Sequence, residues 1–456
     1  MDACRSERNR TGTKIVVALL CCLAGALAWG QYSEPETTPK PPAEEKRYGN
    51  MPEEAVPYRR FSKPYFDWFI QPNTIEYNGA AQDRPDGDVT KLSQIAIGFL
   101  GPLENNPESL FGIPMLHGAQ LALDEANARG GYKGKPYALK VYNDSALWGA
   151  SSTVLPSMLF KDDVWAVLGS IDGQSTHIMI RVSLKLEVPI LSPGTTDPTV
   201  TETRIQWLMH NFIDDRQQGY TLADYVFKNL KLKRIGIIRT QTRYARIGVA
   251  KFNDQARRMG RQPMLEVKFE RGDKDFSRQL RMLQDANVEG IVLWGEAPEA
   301  GLILKQMRAM GMTQPVFAGS RVAYQQTIDL AGPAAEGLIC STTFDPSRND
   351  PKWVEFRDRY RQRFNEKPID YAAFAYDGMN ILIGAIEKTG LNRGRIMKVL
   401  RDYQLKTYDG VTGQAYFDYT LNNLAPVTLA RVENGKFVYW AAPRRTGHEG
   451  AAAQNR

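Results

Sequence analysis

From Leu92 onward, short unbroken apolar runs alternate with longer stretches whose apolar residues recur at three- and four-residue steps. The runs read as strands buried on both faces and the stretches as helices that cover them, the grammar of a parallel sheet built from βα units. Residues 95–97 are predicted as the first strand. Met115, Ala119, Ala122, Leu123 and Ala126 then mark one face of a helix, and Gly130-Gly131 supplies its left-handed stop. Strands at 139–142, 164–168 and 188–191 follow, separated by helices at 151–160 and 178–186. After Asn211 the pattern repeats, with helices at 221–230, 247–259, 276–286 and 299–310 and strands at 234–238, 264–269, 290–294 and 316–318. Helices at 351–364 and 371–389 come next, the second long enough to return the chain to its first half. Asn434-Gly435, between runs at 427–432 and 437–440, reads as a two-residue hairpin turn. Two such series in 456 residues point to more than one core, and so to two lobes.

The chain before Leu92 follows other rules. Residues 15–29 form the only long apolar run, behind Arg5, Arg8, Arg10 and Lys14 and ending in Ala28-Trp29-Gly30. That is the pattern of a signal peptide over 1–30, too short for a comfortable membrane span, with a retained anchor as the alternative. Three of the four cysteines, Cys4, Cys21 and Cys22, lie in it, so the exported chain keeps Cys340 alone and has no internal disulfide to rely on. The formal charge of +7 falls to +5 without residues 1–30 and is spread along the chain, which gives nucleic-acid binding little support. Residues 31–91 are read as a proline-rich linker followed by an arm, because Tyr58, Phe61, Tyr65, Phe66, Trp68 and Phe69 crowd into a short stretch. The arm is expected to pack on the folded body or to meet a partner or a membrane surface. Residues 444–456 are expected to be a disordered tail.

Several chemistries have no support. The four histidines, His117, His177, His210 and His448, show no metal-ligand spacing. There is no G-x-S-x-G elbow, no G-x-x-x-x-G-K phosphate loop and no G-x-G-x-x-G after the first strand. Cys340 sits in the apolar stretch 337–341 and reads as a buried structural thiol. The expectation is a protein without metal, cofactor or catalytic residues.

The informative residues are in two loops at strand ends. After the strand at 164–168 comes Gly169-Ser170-Ile171-Asp172-Gly173-Gln174-Ser175-Thr176, which runs straight into a helix. Small residues there let backbone N–H groups and the positive end of the helix face a carboxylate, with a dipole contribution of about 0.3–2 kcal/mol. After the strand at 188–191 comes Ser192-Pro193-Gly194-Thr195-Thr196-Asp197-Pro198, again small and hydroxyl-bearing. If both strands are parallel, both loops lie at one sheet edge, where open α/β sheets bind ligands.

These loops, together with Gly98–Gly101 before Pro102, Gly118-Ala119-Gln120, Asn127-Ala128-Arg129-Gly130-Gly131, Asp273-Lys274-Asp275-Phe276-Ser277, Ala335-Glu336-Gly337 and Tyr371-Ala372-Ala373-Phe374-Ala375-Tyr376-Asp377-Gly378, resemble the Leu/Ile/Val-binding family of periplasmic substrate-binding proteins. The resemblance covers residues 92–440. It implies the α/β fold of a type I periplasmic binding protein, two doubly wound parallel-sheet lobes joined by three chain crossings, near 211–215, 340–344 and 419–425. Lobe 1 would comprise 92–213 and 342–422, and lobe 2 would comprise 214–341 and 423–443.

The function so implied is capture of a small polar ligand (an amino acid, an amide or an organic acid) by a periplasmic monomer that serves an inner-membrane ABC permease. A ligand sensor signalling through the N-terminal arm is the alternative. The resemblance assigns Gly173, Gln174, Ser175, Gly194, Thr195 and Thr196 to the ligand's carboxylate and amino groups. It makes Phe111 an aromatic wall and Tyr244, ahead of the helix at 247–259, a residue that closes over the ligand. One departure stands out, because Ser320-Arg321 occupies the place of the acid that balances an ammonium. Either Glu296 or Asp172 replaces that acid, or the ligand has no ammonium and Arg321 favours an anion.

Overall fold

The computed structural model describes residues 80–104, 106–144 and 148–441; the expected signal peptide, linker, aromatic arm and tail lie outside the described residues. The first sheet has strands β1 (Ile95–Gly101), β2 (Tyr137–Asn143), β3 (Val167–Gly169), β4 (Ile190–Ser192) and β5 (Leu208–His210). Their order is β2-β1-β3-β4-β5 and every pairing is parallel. Helices α1 (Ser109–Ala128), α2 (Trp148–Phe160) and α3 (Gly173–Leu186) alternate with them. The second series supplies β6 (Ile235–Thr240), β7 (Leu265–Phe269), β8 (Gly290–Trp294), β9 (Val316–Ala318) and β10 (Ile339–Thr342), with α4 (Asp215–Asp224), α5 (Arg243–Arg258), α6 (Ser277–Asp285) and α7 (Ala297–Ala309). Helices α8 (Pro351–Phe364), α9 (Asp370–Thr389) and α10 (Arg393–Arg401) come after it. They precede a small ribbon of β11 (Tyr408–Gly410) and β12 (Gly413–Ala415) and the hairpin β13 (Thr428–Glu433) with β14 (Lys436–Ala441). The second sheet runs β14-β13-β10-β9-β8-β6-β7, every pairing being parallel except the two that β13 makes, with β10 and with β14.

Central strands are covered on both faces, as unbroken apolar runs require. In β1, Ile97 and Phe99 face one cluster with Met115 and Tyr371, whereas Ala96 and Leu100 face another with Leu155 and Met179. The second sheet divides the same way, Ile238 toward Phe276 and Leu304, Ile237 toward Val249 and Phe252. Each of the larger side chains contributes about 1.5–3 kcal/mol by leaving water. The first lobe closes over its sheet when α9 crosses α1. The two helices meet so tightly at Gly118 that a Cβ there would lie 2.0 Å from the Ala372 carbonyl oxygen. Cys340 is buried in β10, where burial holds its thiol protonated.

Several helices begin earlier than their apolar periodicity does. Asp172 accepts the Ser175 N–H at 2.8 Å and starts α3 at Gly173, not 178. Asp214 caps α4 from Asp215, not 221, and Thr242 caps α5 from Arg243, not 247. The cause is shared: a capped first turn faces a loop or cleft and carries polar residues, so it is invisible to an apolar count. Tyr244 therefore sits in the first turn of α5 rather than ahead of it. Helix α10 and the β11–β12 ribbon were not expected.

The lobes are joined where β5 leads to α4, where β10 leads to α8, and where the chain re-enters the second sheet at β13. These crossings are bonded to one another. Asn423 donates to the Asn211 carbonyl at 2.7 Å, Gln217 donates to the Asn423 carbonyl at 2.6 Å, and the Thr342 hydroxyl donates to the Thr428 carbonyl at 3.0 Å. The ring nitrogens of buried His210 lie 2.6 Å from Asn422 Oδ1 and 2.6 Å from the Thr195 carbonyl oxygen, tying the crossing to a polar loop.

Candidate functional site

Because β3 and β4 are adjacent and parallel, the loops that leave them emerge at the same sheet edge. Thr195, Thr196 and Gly173 line one cavity there, with Ile171, Asp172, Asp197 and, from the start of α1, Glu108. Its other wall comes from the second lobe: Thr242, Arg243, Tyr244 and Ile247 at the start of α5, and Arg321 in the loop after β9. The cavity between the walls is small, about 40 Å³, and partly open to solvent.

The remaining expected residues stand around this cavity. Gln174 and Ser175 continue the first turn of α3, and the Ser175 hydroxyl is buried without a hydrogen-bond partner. Gly194 is wedged behind the wall, where a Cβ would lie 2.5 Å from Ile171 and 3.2 Å from Tyr371. Phe111 lies beneath Arg321, 5.1 Å from its guanidinium carbon to the ring centre. Ser320 does not line the cavity; its N–H donates to Gln218 Oε1 at 3.1 Å. Glu296 is committed to arginines, 2.8 Å from Arg271 and 3.8 Å from Arg321. No side chain fits at Gly173 without a shift, since a Cβ there would lie 2.6 Å from Asp197 Oδ2.

Four residues that the sequence did not single out belong to the site: Glu108, Asp197, Asp215 and Arg243. Glu108 stands at the N-cap position of α1 but makes no capping bond; its Oε1 accepts from Arg271 at 3.0 Å and from Arg321 at 3.4 Å. Burial pushes its carboxyl up, but the two guanidinium groups outweigh that and hold it below its ordinary value. Asp197 behaves alike, with burial overcome by Arg243, which lies 2.7 Å away, and by Thr199. Asp215 accepts the Thr196 hydroxyl at 2.8 Å and donates its own N–H to the Thr196 carbonyl at 2.7 Å. Its other oxygen, Oδ1, is buried with no partner. The signal available in the sequence was the pair Asp214-Asp215 ahead of a helix, which reads equally as helix capping.

Not every acid of the cleft has a cation. Arg243 faces Asp197, while Arg271 and Arg321 face Glu108 and Glu296. Among the described residues no ion pair reaches Asp172 or Asp215. Burial pushes the Asp172 carboxyl up, and nearby Glu108 adds to this; burial pushes Asp215 well above its ordinary value against the pull of Thr196 and Arg321. The cleft therefore has acceptors to spare: Asp215 Oδ1, Glu108 Oε2 and Glu296 Oε2 are all buried and unpartnered. A donor-bearing, positively charged group is the chemistry these acceptors lack.

Residues 94–436 match the family described as periplasmic binding protein. The chain is 29% identical over 358 residues to Leu/Ile/Val-binding protein homolog 2 of Brucella abortus, covering 77% of this chain and 94% of that one. It is 26% identical over 303 residues to an amino acid binding protein of Pseudomonas aeruginosa, covering 66% and 80%. Among solved structures, the branched-chain amino acid transporter substrate-binding protein LivJ of Streptococcus pneumoniae, in complex with isoleucine, superposes with a TM-score of 0.69 at 27% identity, covering 76% of this chain and 99% of that one. The leucine-binding protein LivK of Thermotoga maritima gives a TM-score of 0.69 at 25% identity over 76% and 98%.

Proposed function

This chain belongs to the periplasmic binding protein family, and from that premise we propose that it captures a small polar solute between its lobes and delivers it to an inner-membrane ABC importer. The observation that carries this reading is the shared cavity, walled by the hydroxyl-bearing loops of one lobe and by Tyr244 and Arg321 of the other. Of the three ligand classes, a zwitterionic amino acid suits the wall best. Its carboxylate would meet the N-terminus of α3, where Ser175 keeps a free hydroxyl. Its ammonium would meet Thr196 and, directly behind it, Asp215. A plain organic anion would instead bring no donor to the bare Asp215 Oδ1, and Arg321 is already engaged with Glu108 and Glu296. Relatives bound to isoleucine and to leucine support an amino-acid ligand.

The family is periplasmic, and we assign residues 1–30 as the export signal. We place the lobe boundaries at 92–213 with 342–422 and at 214–341 with 423–443. The protein acts as a monomer and makes or breaks no bond in its ligand.

Thermal or chemical denaturation of the purified protein with a panel of amino acids, amides and organic acids tests the reading. A true ligand at a hundredfold excess over Kd stabilises the fold by about 2.7 kcal/mol. A panel in which nothing shifts the transition would remove the basis for the proposal.

A further inference from the structure

Three aromatic side chains converge on one guanidinium at the back of the cleft. Arg321 reaches from the second lobe toward the first, with its guanidinium carbon 4.3 Å from the centre of the Tyr244 ring and 5.1 Å from that of Phe111. Its Nε donates to the Tyr371 hydroxyl at 3.2 Å, and Phe111 stacks on Tyr371 at 4.8 Å between centroids. The side chain is 3% exposed and its charge is met by Glu108 and Glu296. The aromatic pocket at the back of the cleft is thus filled by the protein's own arginine. In the space left, Ile171 and Ile247 are the aliphatic lining, and the rest is polar or charged apart from the Tyr244 ring.

We infer that Arg321 is a specificity-determining residue: it fills the aromatic pocket at the back of the cleft, so the cleft admits small polar amino acids and excludes those of leucine size. The inference rests on the solute-binding reading above. To seat leucine, the cleft would have to expel Arg321 from three rings and leave Glu108 and Glu296 to share Arg271. A leucine side chain restores none of those bonds. A glycine, alanine or serine needs only the loops at 171–173 and 195–197 and the first turn of α5, and leaves Arg321 in place.

Isothermal titration of the purified chain with glycine, alanine, serine, leucine and phenylalanine tests this, using the unaltered protein and Arg321→Ala. The unaltered protein is expected to bind alanine or serine at least about tenfold more tightly than leucine, and Arg321→Ala to raise the leucine-to-alanine affinity ratio by about tenfold or more. Should loss of the guanidinium prevent folding, the double variant Arg321→Ala with Glu108→Gln keeps the buried charges balanced, empties the same pocket and carries the same expectation. Leucine binding the unaltered protein as tightly as alanine, or a folded variant with an unchanged ratio, overturns the inference while leaving solute binding intact. If neither protein binds any ligand of the wider panel, the solute-binding reading falls and the filter with it.

Discussion

Asp215 shows how one residue can be both ordinary and decisive. It follows the capping Asp214 at the start of α4, a position where acids are favoured by the helix dipole. Folding also sets its carboxylate against Thr196, with one oxygen bonded and the other buried and bare. An ammonium delivered there would gain a charge-assisted bond and relieve an unsatisfied acceptor at once. Asp215→Asn, nearly the same in shape, is therefore expected to weaken amino-acid binding by about 2–3 kcal/mol, the usual worth of a hydrogen bond to a charged group. Titration calorimetry checks it; affinity unchanged within error would move the ammonium elsewhere in the cleft.

Asp377 plays a comparable part between elements rather than toward a ligand. From the middle of α9 it accepts the N–H groups of Val411 and Thr412, each at 2.9 Å, and the Thr412 hydroxyl at 2.6 Å, so a helix holds the turn of the β11–β12 ribbon. Burial nevertheless pushes its carboxyl up from 3.8 to about 6. Between those values the folded protein holds a proton that the unfolded chain has released, so stability falls as pH rises through the window and is level above it. Asp214, also pushed up to about 6 by burial, adds a slope of the same sign. Each shift corresponds to about 3 kcal/mol at most. In urea denaturation at a series of pH values, Asp377→Asn is expected to lose its share of the decline between pH 4 and 6. A variant whose pH profile parallels that of the parent would contradict the assignment.

Across the whole molecule, ion pairs draw the two lobes together on either side of the cavity. Arg243 of α5 holds Asp197 through Nε at 2.8 Å and Nη2 at 2.7 Å, and Arg271 and Arg321 hold Glu108. Pairs that bridge lobes stabilise the closed state alone, and hinge closure is the motion a two-lobed binding protein uses to retain its ligand. Arg243→Ala leaves buried Asp197 without its main partner, which should cost about 2 kcal/mol and appear mostly as faster ligand release. Stopped-flow dissociation measures this directly, and small-angle scattering of the variant should show a wider particle. A release rate equal to the parent's would mean that the pair does not act in closure.

The order and type of most elements were legible in the sequence because periodicity is local: a strand or helix buried by its own apolar pattern announces itself within a dozen residues, whereas the short strands β5, β11 and β12 carry no such pattern and α10 was not expected. The two polar loops were legible for the same reason, each being a contiguous string after a strand. Helix starts were misplaced where a capped, polar first turn faces the cleft, as at Tyr244. What only tertiary structure decided was which side chains meet. Glu108 and Arg321 are 213 positions apart, and Glu108 and Arg271 are 163 apart. Nothing in the local pattern of either partner says that packing will press them together and drive out water. Arg321 read in isolation left open whether the ligand is an anion or an ammonium balanced by another acid; folded, it is a neutralised plug among three aromatic rings, because the lobes bring its counter-charges with them.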